Sequence, residues 1–217
     1  MVYIIGVISQ KGGVGKSTIS RLLATEIAAA QFAVKIADLD TQQLTVSTWA
    51  NERALSHIKP KIPARGFSTV KDALKDAPFF DVYIIDGRPH ASLQTLDIAK
   101  NAHLLIIPTG QTKDDLRHAV TLAHNLAEKD ISPSKIVFAL SKTTHSLSEL
   151  SAAKEYLQQT PYHTLQGHIS ISTAYGISHD HGKSVAETPH PSLNNKAQLL
   201  AQSIIDRLAL ITEKDES

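Results

Sequence analysis

The chain has 217 residues, 42% of them hydrophobic, with 22 Lys and Arg against 21 Asp and Glu and a formal net charge of +1. That length suits one globular domain over residues 1–217 with an ample core, and so balanced a charge excludes a generally basic surface, leaving any DNA contact to a local patch. The absence of cysteine rules out a disulfide framework and any cysteine-ligated metal or iron–sulfur centre, and with no apolar leader and no run near a membrane span the expectation is a soluble, unexported protein of a reducing cytosol.

Short β-rich runs alternate with longer helix-period stretches, the pattern of βα units around a mainly parallel, twisted sheet with helices on both faces. The first run, Tyr3 to Ser9, is predicted as a strand, and Lys16 to Ala30 as a helix. Between them lies Lys11-Gly12-Gly13-Val14-Gly15-Lys16-Ser17-Thr18. Strand, glycine loop and helix in that order form a phosphate-binding loop. Glycines let successive N–H groups turn inward, and the following helix brings its positive end to the same point. Residues Gly12 to Thr18 would hold a polyphosphate, with Lys16 placed to reach the β- and γ-phosphates and the Ser17 hydroxyl to ligate Mg2+.

Further strands are predicted over Val34 to Ala37, Val82 to Ile85, Leu104 to Ile107 and Ile136 to Leu140, with a weaker one near Thr164 to Ile169. Helices are predicted over Thr69 to Ala77, Ser92 to Ala102, Asp114 to Lys129, Leu147 to Gln159 and Asn194 to Ile211. Ser56 to Phe67, with Pro60, Pro63 and Gly66, reads as an irregular connection, and residues 213–217 as a short acidic tail. Ligands of such sheets gather at the carboxyl ends of strands. Asp86 ends the third strand and suits magnesium, usually through water. Asp38 and Asp40 follow the second strand with the same facing, Asp40 nearer the crevice. The plain alternative for Asp40 and Asp86 is that each caps the next helix. His179-Asp180-His181 lacks a third ligand cluster and reads as a solvated, pH-sensitive surface. Leu199, Leu200, Ile204, Ile205, Leu208 and Ile211 form a core stripe of helical spacing. Candidate DNA contacts are Arg53, Lys59, Lys61 and Arg65 in one stretch and Lys135, Lys142, Lys183 and Lys196 toward the end.

The glycine loop departs from the pattern GxxxxGK[ST]. Gln10 stands where the first glycine belongs, and Lys11 precedes the double glycine. In this the chain resembles the deviant Walker A ATPases of the ParA/MinD family, whose signature is KGGxGK[ST]. The small plasmid-partition ParA proteins of the ParF type also match in length and in the glycine after Asp86. The resemblance covers nearly the whole chain and implies a P-loop fold, ATP and Mg2+ as cofactors, and a weak basal ATPase. It implies that Lys11 reaches the nucleotide of a partner subunit in an ATP-bound homodimer, and that Asp40, the second aspartate of DxD, orients the attacking water. Lys16, Lys11 and magnesium would then offset charge on the transferring phosphoryl group.

Other positions agree or depart. Pro108, Thr112 and Asp115 track the family's PxxPSxxD segment, with Gln111 for the second proline. Ala174-Tyr175, Gly182, Ser184-Val185 and Glu187 track AY…GxSVxE, with Ser172 where an arginine is expected, and Ser141-Lys142 falls where relatives place residues near the base. Thr41 replaces the proline of DxDPQ while Gln42 is kept. Asp86 is followed by Gly87-Arg88-Pro89-His90, and Arg88 is left to stabilise charge, pair with Asp40 or contact a partner. Functionally the resemblance implies a partition ATPase for plasmid DNA, cytoplasmic and nucleoid-associated. Its ATP-bound dimer would bind DNA non-specifically and be released when a centromere-bound adaptor of the ParB type stimulates hydrolysis. Alternatives are a positioning ATPase for another cargo, such as a conjugation or cell-pole factor, and a nucleotide-gated regulator or scaffold with little turnover. A metabolic ligase would need a substrate pocket that no convergent polar set suggests. The acidic tail disfavours a MinD-like membrane helix, so no membrane partner is expected.

Overall fold

The computed structural model describes residues 2–90 and 92–215. The strands are β1 (Tyr3–Val7), β2 (Val34–Asp38), β3 (Ala64–Gly66), β4 (Val82–Asp86), β5 (Leu104–Thr109), β6 (Ile136–Thr143), β7 (His163–Thr164) and β8 (Ile169–Ser170). Between them run α1 (Lys16–Ala29), α2 (Thr45–Leu55), α3 (Val70–Leu74), α4 (Ser92–Asn101), α5 (Lys113–Ala127), α6 (Leu147–Gln158), α7 (Thr173–Asp180) and α8 (Pro191–Asp215). They form one parallel sheet in the order β3-β2-β4-β1-β5-β6-β7, with β8 also on β6. β1, which leads into the glycine loop, therefore lies at the centre. No helix among the described residues is long and apolar enough to cross a membrane.

The alternation of strand side chains divides the core in two. Ile5 and Val7 of β1, Ile84 of β4 and Ile106 of β5 face α1, α2 and α8, whose Leu22, Leu23, Trp49, Leu200 and Ile204 cover them. Tyr83, Ile85, Leu105, Ile107 and Phe138 face the other way, onto Ala73 of α3, Ile98 of α4, Leu116 and Ala123 of α5 and Leu157 of α6. Burial on both faces is why these strands read as continuous apolar runs.

Five expectations change, the first being the helix expected over Thr69 to Ala77: α3 ends at Leu74, and a separate 3-10 turn follows at Ala77–Phe79, where Pro78 cannot continue an α-helix. α2 was not expected, because Thr45–Leu55 has little amphipathic patterning and its N-cap residue, Leu44, offers no side-chain cap. α7 was also missed, a short helix with Gly176 inside it and Ser172 as its cap, the Ala174 N–H donating to Ser172 Oγ at 3.3 Å. The Ser56–Phe67 connection contains β3, whose register sets Ile36 beside Ala64 at the sheet edge. The weak strand near Thr164–Ile169 is two short strands separated by Gly167, where the chain turns with φ 76°. At the end, α8 runs through Asp215, so the acidic tail is helical to that point, and Glu216 and Ser217 lie outside the described residues. Leu200, Ile204, Leu208 and Ile211 of its stripe are buried, whereas Leu199 is 55% exposed and belongs to the outer face.

Candidate functional site

Gly15 immediately precedes α1 with φ 100°, and a Cβ there would lie 2.3 Å from Ser141 Oγ, so only glycine fits both the turn and the approach of β6. α1 has no side-chain cap and no acidic residue in its first turn. Its leading amides and positive dipole end are thus left for an external anion. Lys16 begins the helix and is only 7% exposed. Burial lowers its pKa, while Asp86 and Asp40 pull it back up without forming an ion pair with it among the described residues. A cation withdrawn from water without a carboxylate partner is costly, and a polyphosphate would relieve that cost.

Opposite the loop, Asp86 ends β4 in register with Val7 on one side and Asp38 on the other. It is 3% exposed and accepts hydrogen bonds from Ser17 Oγ at 2.7 Å and Ser20 Oγ at 2.9 Å. Burial pushes its carboxyl up to about 6, against the pull of the two hydroxyl bonds and Lys16. A hydroxyl and a carboxylate so close together are the hard oxygen donors that magnesium takes, so the residues present fit that ion. Ser20 was not identified from sequence, although its place three residues after Ser17 on one helix face could have found it.

Asp38, which ends β2, and Asp40, two residues beyond it, divide their roles. Asp38 is fully buried and accepts from the backbone N–H groups of Asp40 (3.1 Å), Val46 (3.0 Å) and Ser47 (3.2 Å). It therefore caps α2 from the strand, the role weighed for Asp40 and Asp86. Asp40 lies at the rim, its carboxylate accepting from the Gln43 N–H at 3.1 Å and its carbonyl from the Leu44 N–H at 2.8 Å. It lines a pocket of about 250 Å³ with Gly12, Gly13, Gly15, Lys16, Ser17, Thr18, Asp86 and Lys142, among others. Val14 buries its side chain and is not among the lining residues.

Lys11 is also outside the pocket lining. Its Nζ donates to Asp115 Oδ1 at 2.5 Å and Asp114 Oδ2 at 3.1 Å, at the start of α5 of its own chain. Asp115 is held for this by Thr112, whose hydroxyl donates to it at 2.8 Å and accepts its N–H at 3.2 Å. Lys11 and Asp115 are half-buried and Asp114 is exposed, so water reaches the contact and weakens it.

Arg53, a candidate DNA contact, is instead fully buried. It donates to the carbonyls of Pro60 (2.8 Å), Lys59 (3.1 Å) and Gly182 (3.0 Å) and to both Glu187 oxygens (2.8 and 2.7 Å). Its guanidinium lies 5.6 Å from the centroid of Trp49. Gly182 comes so close that a Cβ on it would sit 2.4 Å from Arg53 N. Gly182 and Glu187 of the AY…GxSVxE stretch therefore clamp α2, while the Tyr175 hydroxyl donates to Leu193 O at 3.2 Å. Lys59, Lys61, Arg65, Lys142, Lys183 and Lys196 are exposed and Lys135 is half-buried. His179 is half-buried rather than solvated, with Nε2 buried and unpartnered among the described residues. Burial and the neighbouring Arg21 push its pKa down to about 4.

Residues 5–185 match the family described as the CobQ/CobB/MinD/ParA nucleotide binding domain. Among solved structures, MinD of Pyrococcus horikoshii OT3 complexed with Mg-ADP superposes with a TM-score of 0.75 at 16% identity, over 96% of this chain and 98% of that one. Apo McdA of Cyanothece gives 0.72 at 15% identity, over 96% and 100%. A candidate plasmid partition protein of Borrelia burgdorferi B31 bound to AMPPNP gives 0.64 at 17% identity, over 99% of each chain. At these identities the likeness is one of fold. No curated protein sequence matches the chain. The family match spans the glycine loop, both strand-end aspartates and most of the sheet, and the chain belongs to the CobQ/CobB/MinD/ParA family of nucleotide-binding domains.

Proposed function

We propose that the chain is a magnesium-dependent partition ATPase, whose ATP-bound homodimer binds DNA non-specifically and is released when a ParB-type adaptor stimulates hydrolysis. The observation that carries the ATPase part is Lys16, a buried cation without an ion-pair partner among the described residues, at the uncapped head of α1. In this reading the loop amides and Lys16 hold the phosphates, Ser17 and Asp86 hold Mg2+, and Asp40 orients the attacking water. The metal would supply charge neutralisation at the transferring group. Lys11 would leave Asp114 and Asp115 for the nucleotide of the second subunit. Exposed Lys59, Lys61 and Arg65, in and beside the edge strand β3, support a DNA-facing patch that dimerisation doubles.

The test is DNA binding by the purified chain with ATP, ADP or no nucleotide, titrated with salt, alongside Lys11→Ala. Binding with ATP alone, weakened steeply by salt and lost in the variant, is the expected result. If ATP binds but DNA is ignored in every nucleotide state, partition falls and a positioning role for another cargo takes its place.

A further inference from the structure

Two segments of this chain depart from the family pattern close to the site, Thr41 after Asp40 and Arg88 after Asp86. The structure sets them across one cleft of about 260 Å³, lined by Asp40, Thr41, Gln43, Arg88 and Pro89 among others. Asp40, Gln43 and Pro89 also line the phosphate pocket, so the two hollows share a wall. Arg88 follows the buried Asp86 by two residues, a span of at most ~7 Å of chain. The intervening Gly87 is pinned, its N–H donating to Val7 O at 2.9 Å, and a Cβ on it would meet that oxygen and Ile98 Cδ1 at 3.2 Å. Arg88 therefore springs from a fixed point at the end of β4, in the middle of the sheet.

Its surroundings differ from those of Arg53, a structural arginine of the fold. Arg53 is fully buried with its donors engaged, whereas Arg88 is exposed and forms no ion pair among the described residues, with Asp40 or with any other carboxylate. Asp40 is thus not masked by it. An uncommitted guanidinium carries five N–H donors in a planar fork, which matches the oxygens of a phosphoryl group.

We propose that Arg88 is a catalytic residue for ATP hydrolysis, its guanidinium donating to the γ-phosphoryl oxygens bound in its own subunit. This rests on the ATPase reading above. In the reaction the oxygen of water bonds to the γ-phosphorus, the bond to the bridging β–γ oxygen breaks with its electron pair going to ADP, and a proton of the water ends on inorganic phosphate. Arg88 transfers no proton. It neutralises charge that spreads over the equatorial oxygens as the phosphoryl group moves, an effect larger in the transition state than in bound ATP.

The experiment compares wild type, Arg88→Ala and Arg88→Lys in Mg2+-dependent ATP turnover and in binding of MgADP with and without aluminium fluoride, a mimic of the transferring group. Arg88→Ala is expected to lower kcat at least tenfold with KM for ATP within about threefold of wild type, and to lose the tightening of ADP binding that aluminium fluoride brings. Arg88→Lys, which keeps the charge but not the fork, should recover part of both and also carries the test if the alanine variant does not fold. Unchanged kcat and unchanged fluoride tightening in Arg88→Ala would overturn the role, as would a loss confined to KM. A wild-type chain that binds ATP and never turns it over would overturn the ATPase reading itself and Arg88 with it, whereas normal wild-type turnover with an indifferent Arg88→Ala overturns the arginine alone.

Discussion

Among the described residues the chain buries three cations, Lys16, Arg21 and Arg53, and it treats the first and the last in opposite ways. Arg53 in α2 has no exposed surface and is met by three backbone carbonyls and both oxygens of Glu187. Lys16, at the head of α1, is nearly as buried, yet has no ion pair among the described residues and faces an Asp86 whose carboxyl is itself pushed up to about 6. The first arrangement is satisfied and holds α2 to the loop between α7 and α8. The second is left unsatisfied by the protein alone, which is what a site awaiting a charged ligand looks like. Burial by itself distinguishes nothing here, and the partners of the buried charge do.

The sharpest way to break the contrast is Lys16→Ala. It should reduce ATP affinity at least a hundredfold in isothermal titration while leaving the melting temperature unchanged or higher, because burial opposes the charge more than the pull of Asp86 and Asp40 supports it. A variant that melts early and still binds ATP would make Lys16 a second structural cation. Glu187→Ala should do the reverse. It strands the Arg53 charge and should cost about 3 kcal/mol, roughly 6–12 °C in Tm for a chain of this size, with nucleotide affinity retained below the transition.

A subtler test uses pH on the ligand-free protein. Asp86 holds its proton more tightly folded than unfolded, so its ionisation above about pH 6 costs stability that returns as the pH falls from 6 toward 4. His179 does the opposite. Its folded pKa is pushed down to about 4, so protonation of the unfolded chain drains stability as the pH falls from 6.5 toward 4. Across that window the two oppose each other. Asp86→Asn should therefore be more stable than wild type at pH 8 and lose stability more steeply on acidification, whereas His179→Asn should gain stability over the same range. Urea unfolding between pH 4 and 8 measures both, and parallel curves for all three proteins would remove the assigned environments of these groups.

Sequence by itself determined what is local or periodic. The glycine loop could be read because its motif lies within eight positions and its flanking strand and helix announce themselves. The five long strands and the five longer helices could be read because burial on one or both faces imposes a period on the residues themselves. Tertiary structure alone decided whatever depends on a distant partner. α2 could not be read from Thr45–Leu55, because the groups that cap its amides belong to Asp38 on a neighbouring strand and the groups that clamp it are Gly182 and Glu187. Arg53 looked like one more basic residue beside Lys59, Lys61 and Arg65, and only the approach of the Gly182 loop made it internal. Lys11 could be recognised by its place before the double glycine, but its attachment to Asp114 and Asp115 spans more than a hundred residues of chain and exists only because β5 lies beside β1. Composition and spacing record what a residue can do. Which charge it meets is settled when the sheet closes, since an electrostatic partner is chosen by distance in space and leaves no period in the chain.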